Sequence, residues 1–250
     1  MTTKMKKMNI LYLSHLGGAS YAGPTYSVPK QIEAQSKIDN VFWYNATKMG
    51  CKEWKNLPYY HDLDEFPKES IYALPKPFNH PDIIVVESFY NMTGSKLRRE
   101  LISENIPYII IPRGELTKFA QSRKKIKKII ANKLFCRKYA YKATAIQYLT
   151  DQEYRDSGDC WNNNHFVIPN GIDFSKRKKL EFSQEGIKCV SIGRIEPYQK
   201  GLDLLIGACE KIKDELSIAK CSIMICGPDR EGKLTSLKDL VQSKGFEDVI

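Results

Sequence analysis

The 250-residue chain has 42% hydrophobic and 27% charged residues, a globular mix that excludes collagen-like, disordered and low-complexity chains. Its formal net charge is +10, and the excess is local: nine of the 39 Lys and Arg, and none of the 29 Asp and Glu, fall between Arg123 and Lys142. No apolar run nears the roughly 20 residues of a membrane-spanning helix, no signal peptide is expected at the basic N-terminus, and seven scattered cysteines without a C-x-x-C pair fit reduced thiols.

Short apolar runs rich in Ile, Val and Tyr alternate with helical spacing, which predicts an α/β fold with a largely parallel sheet. In chain order, strands are expected at 8–14, 41–45, 82–87, 107–112, 144–149, 187–193 and 220–227. Helical spacing appears at 31–38, 96–104, 122–141, 202–216 and 234–243. The strands are continuously apolar, as expected where both faces are buried. The turn formers Pro169, Asn170 and Gly171, followed by a polar stretch, place a domain boundary near Pro169. Residues 1–169 then form one domain. Residues 170–250 start a second, with two strands and a possible third, which reads as an incomplete and labile unit.

Two strand–helix loops carry the chemistry. Gly17 and Gly18 follow the first strand, where glycine lets a backbone approach a phosphate or sugar. Pro24 stands where a Walker A lysine would be, and G-x-G-x-x-G is absent, so neither a P-loop nor a nicotinamide site is expected. In SIGRIEPYQKGLDLLI, Arg194 and Lys200 flank one loop between Gly193 and an amphipathic helix, where both can reach one anion such as a diphosphate. Glu87, Ser88, Arg113 and Glu115 follow strands, and the carboxyl ends of parallel strands line the ligand crevice. The four histidines lack metal-ligand spacing, the three tryptophans read as core or rim, and Cys189, Cys221 and Cys226 read as inert core.

IPNGID, GRIEPYQKGLDLLI and ICGPD, in this order, resemble the hinge and donor-binding half of the GT-B glycosyltransferases of family 4. The resemblance extends back over the GG loop, PRGELTKFA and YLTDQEY to cover essentially the whole chain. It implies two Rossmann-like domains, the second incomplete here, and retaining, metal-independent transfer from a UDP- or GDP-sugar. Arg194 and Lys200 would hold the diphosphate and stabilise the leaving group, with Gly17, Gly18, Gly193 and Gly227 close to the donor. Glu87, Ser88, Arg113 and Glu115 would contact a glycan or lipid-linked acceptor, in the synthesis of a surface polysaccharide or lipopolysaccharide. Two features depart from the family. Arg113-Gly114 stands where many members have His-Gly, and the acidic E-x7-E pair would lie beyond Ile250, so the 250 residues alone are expected to be inactive.

Alternatives from other classes are a non-catalytic sugar-nucleotide or anion binder, and a membrane or nucleic-acid adaptor built on the basic helix. For that helix, with its stripe of Ile126, Ile129, Ile130 and Leu134, three readings stand: a packed helix with a solvated basic face, an anionic membrane surface contact, and nucleic-acid binding. No nucleic-acid module pattern accompanies it, which puts that reading third; the cysteines suit a cytoplasmic protein, and a lipid-linked acceptor would place it peripherally at the inner face of the plasma membrane.

Overall fold

A computed structural model describes residues 6–92, 94–172, 186–229 and 232–250. Two compact units divide the chain, Met1–Asp173 and Phe174–Ile250.

The first unit is built on seven parallel strands, in the order β3-β2-β1-β4-β5-β6-β7. These are β1 (Asn9–Ser14), β2 (Asn40–Asn45), β3 (Tyr60–Asp62), β4 (Ile83–Glu87), β5 (Tyr108–Ile111), β6 (Ala145–Tyr148) and β7 (His165–Val167). Strand direction alternates side chains between faces, and each face feeds its own core. Leu11 and Leu13 of β1 pack with Phe42, Tyr44, Ile84 and Val86 on one side. Ile10 and Tyr12 pack with Trp43 and Val85 on the other. The first core is closed by Leu97 and Leu101 of α2 (Lys96–Ser103) and the second by Val28 and Ile32 of α1 (Pro24–Ser36). Covering both faces explains why the strands read as unbroken apolar runs.

Between β5 and β6 the chain forms α3 (Lys118–Ser122), α4 (Lys125–Ala131), a π-helical turn Asn132–Cys136 and α5 (Arg137–Lys142). The single helix expected at 122–141 is therefore broken, and its apolar stripe does not pack. Ile126, Ile129, Ile130 and Leu134 are exposed, while Cys136, Tyr139 and Ala140 are buried. The helix α6 (Asp151–Ser157) follows β6, opened by Thr150, whose hydroxyl accepts from the Glu153 amide at 3.0 Å.

In the second unit β8 (Lys188–Ile192) and β9 (Ser222–Cys226) pair in parallel. They are joined through α7 (Pro197–Lys200), α8 (Leu202–Lys211) and α9 (Lys213–Ile218), and α10 (Lys233–Ser243) follows β9. Ile223 and Ile225 turn toward a core of Leu202, Ile206, Leu237, Val241 and Phe246. The other sheet face, Val190, Ile192 and Met224, is exposed. Cys189, expected in a core, is exposed as well, because β8 is an edge of a two-stranded sheet; Cys221 is buried and Cys226 half-buried.

Candidate functional site

The strand order of the first unit reverses between β1 and β4, and ligands of open α/β sheets bind beyond the carboxyl ends of strands at such a point. The loop leaving β1 is fixed by buried Asn45 at the end of β2. Its Oδ1 accepts from the Ser14 hydroxyl (2.7 Å) and the Leu16 amide (2.8 Å), and its Nδ2 donates to the Leu16 carbonyl (3.0 Å). Gly18 turns with φ +67°, and a Cβ there would lie 2.5 Å from the Cys51 amide nitrogen. The close approach requires glycine, and it holds the Gly17-Gly18 backbone open at the strand ends.

On the other side of the switch, Ser88 (φ 74°) and Arg113 (φ 50°) both adopt the left-handed conformation directly after β4 and β5. Such conformations cost free energy and concentrate at functional sites. The turn at Arg113 sends its guanidinium back to Glu87, with Nε donating to Oε2 at 2.7 Å. Nη1 donates to Ser27 Oγ (3.2 Å) and Asn170 Oδ1 (3.1 Å), and Nη2 to Gln31 Oε1 (3.2 Å). Burial pushes the Glu87 carboxyl up from its ordinary value, and Arg113 opposes the shift. Tyr12, whose hydroxyl burial also pushes up, bonds to Gln31 beside this pair.

Glu115 accepts from the amides of Phe89 and Tyr90. Burial raises its carboxyl, and those two N–H groups pull it back. Glu153 accepts from the amide of Gly114 and, at 2.7 Å, from that of Leu149. Glu87 Oε2 and Arg113 thus pair with each other, Arg113 also reaches Ser27, Asn170 and Gln31, and Glu115 holds the Phe89 and Tyr90 amides. They build the strand-end loops; Ser88, 7% exposed, shapes the turn itself. Asn45, Gln31, Ser27, Asn170 and Glu153 were not foreseen as members of this cluster. Asn170 entered the sequence reading only as a turn former, and the T-x-x-E spacing at Thr150–Glu153 could have marked Glu153 as a helix-start residue.

The second cluster lies at the carboxyl ends of β8 and β9. The Gly193 amide donates to the Cys226 carbonyl (2.9 Å), and Ile195 pairs with Asp229. Gly227 has φ +154°, and a Cβ on it would fall 1.7 Å from the Gly193 carbonyl oxygen, so only glycine lets the two strand ends meet. Lys200 folds its stem back along this junction, with Cε and Cδ 3.8 and 3.9 Å from where a Gly193 Cβ would sit. Arg194 Nη2 lies 3.3 Å from Gln199 Oε1. Lys233, at the start of α10, pairs with Glu196. The structure therefore places Gly193, Gly227 and the Lys200 stem at one junction of the β8 and β9 ends, with Arg194 next to Gly193 in the chain. Gly17 and Gly18 belong to the other unit. Among the described residues no group of three or more His, Cys, Asp or Glu is gathered as a metal site.

No protein-family model matches the sequence, and no curated protein matches it. Among solved structures, the chain is similar to an alpha-glucosyltransferase in complex with UDP and a 13-mer DNA containing a HMU base. The TM-score is 0.53 at 16% identity, over 94% of this chain and 60% of that one. This chain thus spans 60% of the length of the enzyme it resembles. The likeness shows the fold: an α/β architecture of the GT-B glycosyltransferase kind.

Proposed function

We propose that the chain binds a nucleotide sugar and serves glycosyl transfer, with the diphosphate held by Arg194 and Lys200 on the second unit. The observation that carries this reading is the Gly193–Gly227 junction. Two strand ends meet at backbone distance, Lys200 lays its stem against them, and Arg194 follows Gly193 directly in the chain. An anion bound there would meet the charges of Lys200 and Arg194, and the same cations would offset negative charge on a departing nucleoside diphosphate. UDP in the similar enzyme supports a UDP- or GDP-sugar as donor.

In this reading the acceptor, a glycan or lipid-linked sugar, belongs to the first unit. Ser88 and the loops braced by Glu87, Arg113 and Glu115 frame it. Transfer would proceed with retention and without a metal, as in the family 4 enzymes whose motifs the chain resembles, in synthesis of a surface polysaccharide or lipopolysaccharide. Seven free thiols fit a cytoplasmic setting. Calorimetry with UDP and GDP tests the donor site. Arg194→Ala and Lys200→Ala should each weaken binding by about 1.5–3 kcal/mol, the scale of a hydrogen bond to a charged group. Unchanged affinity in both variants would remove the clamp.

A further inference from the structure

The segment between β5 and β6 combines two features that rarely share a surface. Eight of its nine cations are exposed, Lys128 being half-buried. Amid them Ile126, Ile129, Ile130 and Leu134 stand 75%, 55%, 54% and 60% exposed, with Phe119 close behind at 59%. Positions 126, 129, 130 and 134 fall on one helix face.

The opposite side of the helix is tied to the turn after β4 and to α3. Tyr90 hydroxyl lies 2.9 Å from both Gln121 Oε1 and Asn132 Oδ1, and Lys128 Nζ donates to the Ala120 carbonyl at 2.6 Å. Beyond the π-helical turn, Tyr108 hydroxyl donates to the Tyr139 carbonyl at 2.6 Å, and Tyr139 and Ala140 are buried. The inserted π turn re-phases the helix, so that α5 packs while α4 holds its apolar stripe out to solvent. Arg123 lies 5.0 Å from the Phe119 ring, which keeps a cation at the edge of the stripe.

We infer that residues 119–142 form an interfacial docking surface for a bilayer containing anionic phospholipid, with the aliphatic stripe among the acyl chains and the flanking cations at the headgroups. The charge is complementary to that surface alone among the obvious polyanions once the apolar stripe is counted. A nucleic acid would satisfy the cations, yet would leave four aliphatic side chains facing phosphate and water. A bilayer takes both, and long Lys and Arg stems reach from the apolar edge to the headgroups. No described helix is long and apolar enough to cross a membrane, so the contact lies in the interface plane. The segment leaves the loop that carries Arg113 and Glu115, so docking would bring the strand ends of the first unit to the lipid surface. The inference rests on the segment itself and stands apart from the donor reading.

Co-sedimentation with phosphatidylcholine vesicles, with and without phosphatidylglycerol, tests it. Binding is expected only with phosphatidylglycerol, weakening as salt rises. Ile126→Ser with Ile130→Ser, and separately Lys124→Glu with Lys125→Glu and Lys127→Glu, should each weaken it about tenfold or more. All five side chains are exposed, so the thermal midpoint should hold. In Ile130→Trp, tryptophan emission should shift to the blue with vesicles and be quenched by brominated acyl chains. Equal pelleting with both vesicle types would overturn the inference. So would a serine variant that binds as wild type, a tryptophan that stays in water, tighter salt-sensitive binding to duplex DNA than to vesicles, or a dimer in solution that Ile130→Ser dissolves.

Discussion

Removing Arg113 tests whether the Glu87–Arg113 pair braces the strand ends of the first unit. Glu87 has a fully buried side chain and Arg113 is 6% exposed at the side chain, and Oε1 of Glu87 has no hydrogen-bond partner among the described residues. Arg113→Met keeps most of the stem volume and leaves a buried carboxylate with no cation. Breaking a buried pair in this way costs about 3–5 kcal/mol. The carboxylate has an escape, which is to take up a proton. From an ordinary value of about 4.3, that costs about 3.7 kcal/mol at about pH 7 and about 1 kcal/mol at about pH 5. Burial already raises Glu87 in the wild type, and without Arg113 it rises further above the unfolded value, so the variant takes up the proton more readily and regains stability relative to the wild type as pH falls. Urea unfolding should therefore show a loss of about 3–5 kcal/mol at about pH 7 that shrinks by roughly 2–3 kcal/mol at about pH 5. Glu87→Gln added to Arg113→Met removes the buried charge and should make the loss independent of pH. A loss below about 1 kcal/mol, the worth of an exposed pair, or one that is equal at both pH values, would refute the reasoning.

Gly227→Ala should weaken nucleotide binding about tenfold or more, because its Cβ forces the β8 and β9 ends apart, while Gly23→Ala, with nothing within 4 Å, should leave it unchanged. Titration of UDP or GDP into both variants checks this. Burial lowers the His15 pKa, with Glu69 opposing, so His15 stabilises the fold above its ordinary value of about 6.5 and the contribution is lost as pH falls below it. His15→Gln should flatten that acid-side decline in urea titrations; an unchanged slope would count against it. With Val190, Ile192 and Met224 open to solvent, β8 and β9 should exchange amide hydrogens faster than β1 and β4. Equal protection of the four strands would contradict the view that the second unit is the weaker.

The strands of both units were legible where the chain is buried on both faces, since an unbroken run such as Ile83–Glu87 admits few other readings. The two that escaped notice, Tyr60–Asp62 and His165–Val167, are three-residue strands at the sheet's two edges, too short to carry a pattern. Helix α1 begins at Pro24, seven residues before the helical spacing expected from 31; at the first helical position proline costs nothing. The outward stripe of α4 was invisible for a different reason. Periodicity shows that a face is apolar and does not show what covers it. That Arg194 and Lys200 share one strand–helix connection could be read because it is local in sequence, between β8 and α8. The lattice around Arg113 could not, since Ser27 and Gln31 come from 86 and 82 residues away in sequence.

Photolabelling locates the nucleotide most directly. Azido analogues of UDP and GDP, irradiated with the protein and mapped by mass spectrometry, should mark peptides bearing Gly193 to Gly201 or Gly227 to Asp229. Excess unlabelled nucleotide should abolish the label, and Arg194→Ala with Lys200→Ala should reduce it sharply. Labelling confined to peptides of residues 6–172, or labelling that survives competition, would contradict a nucleotide-sugar site on the second unit.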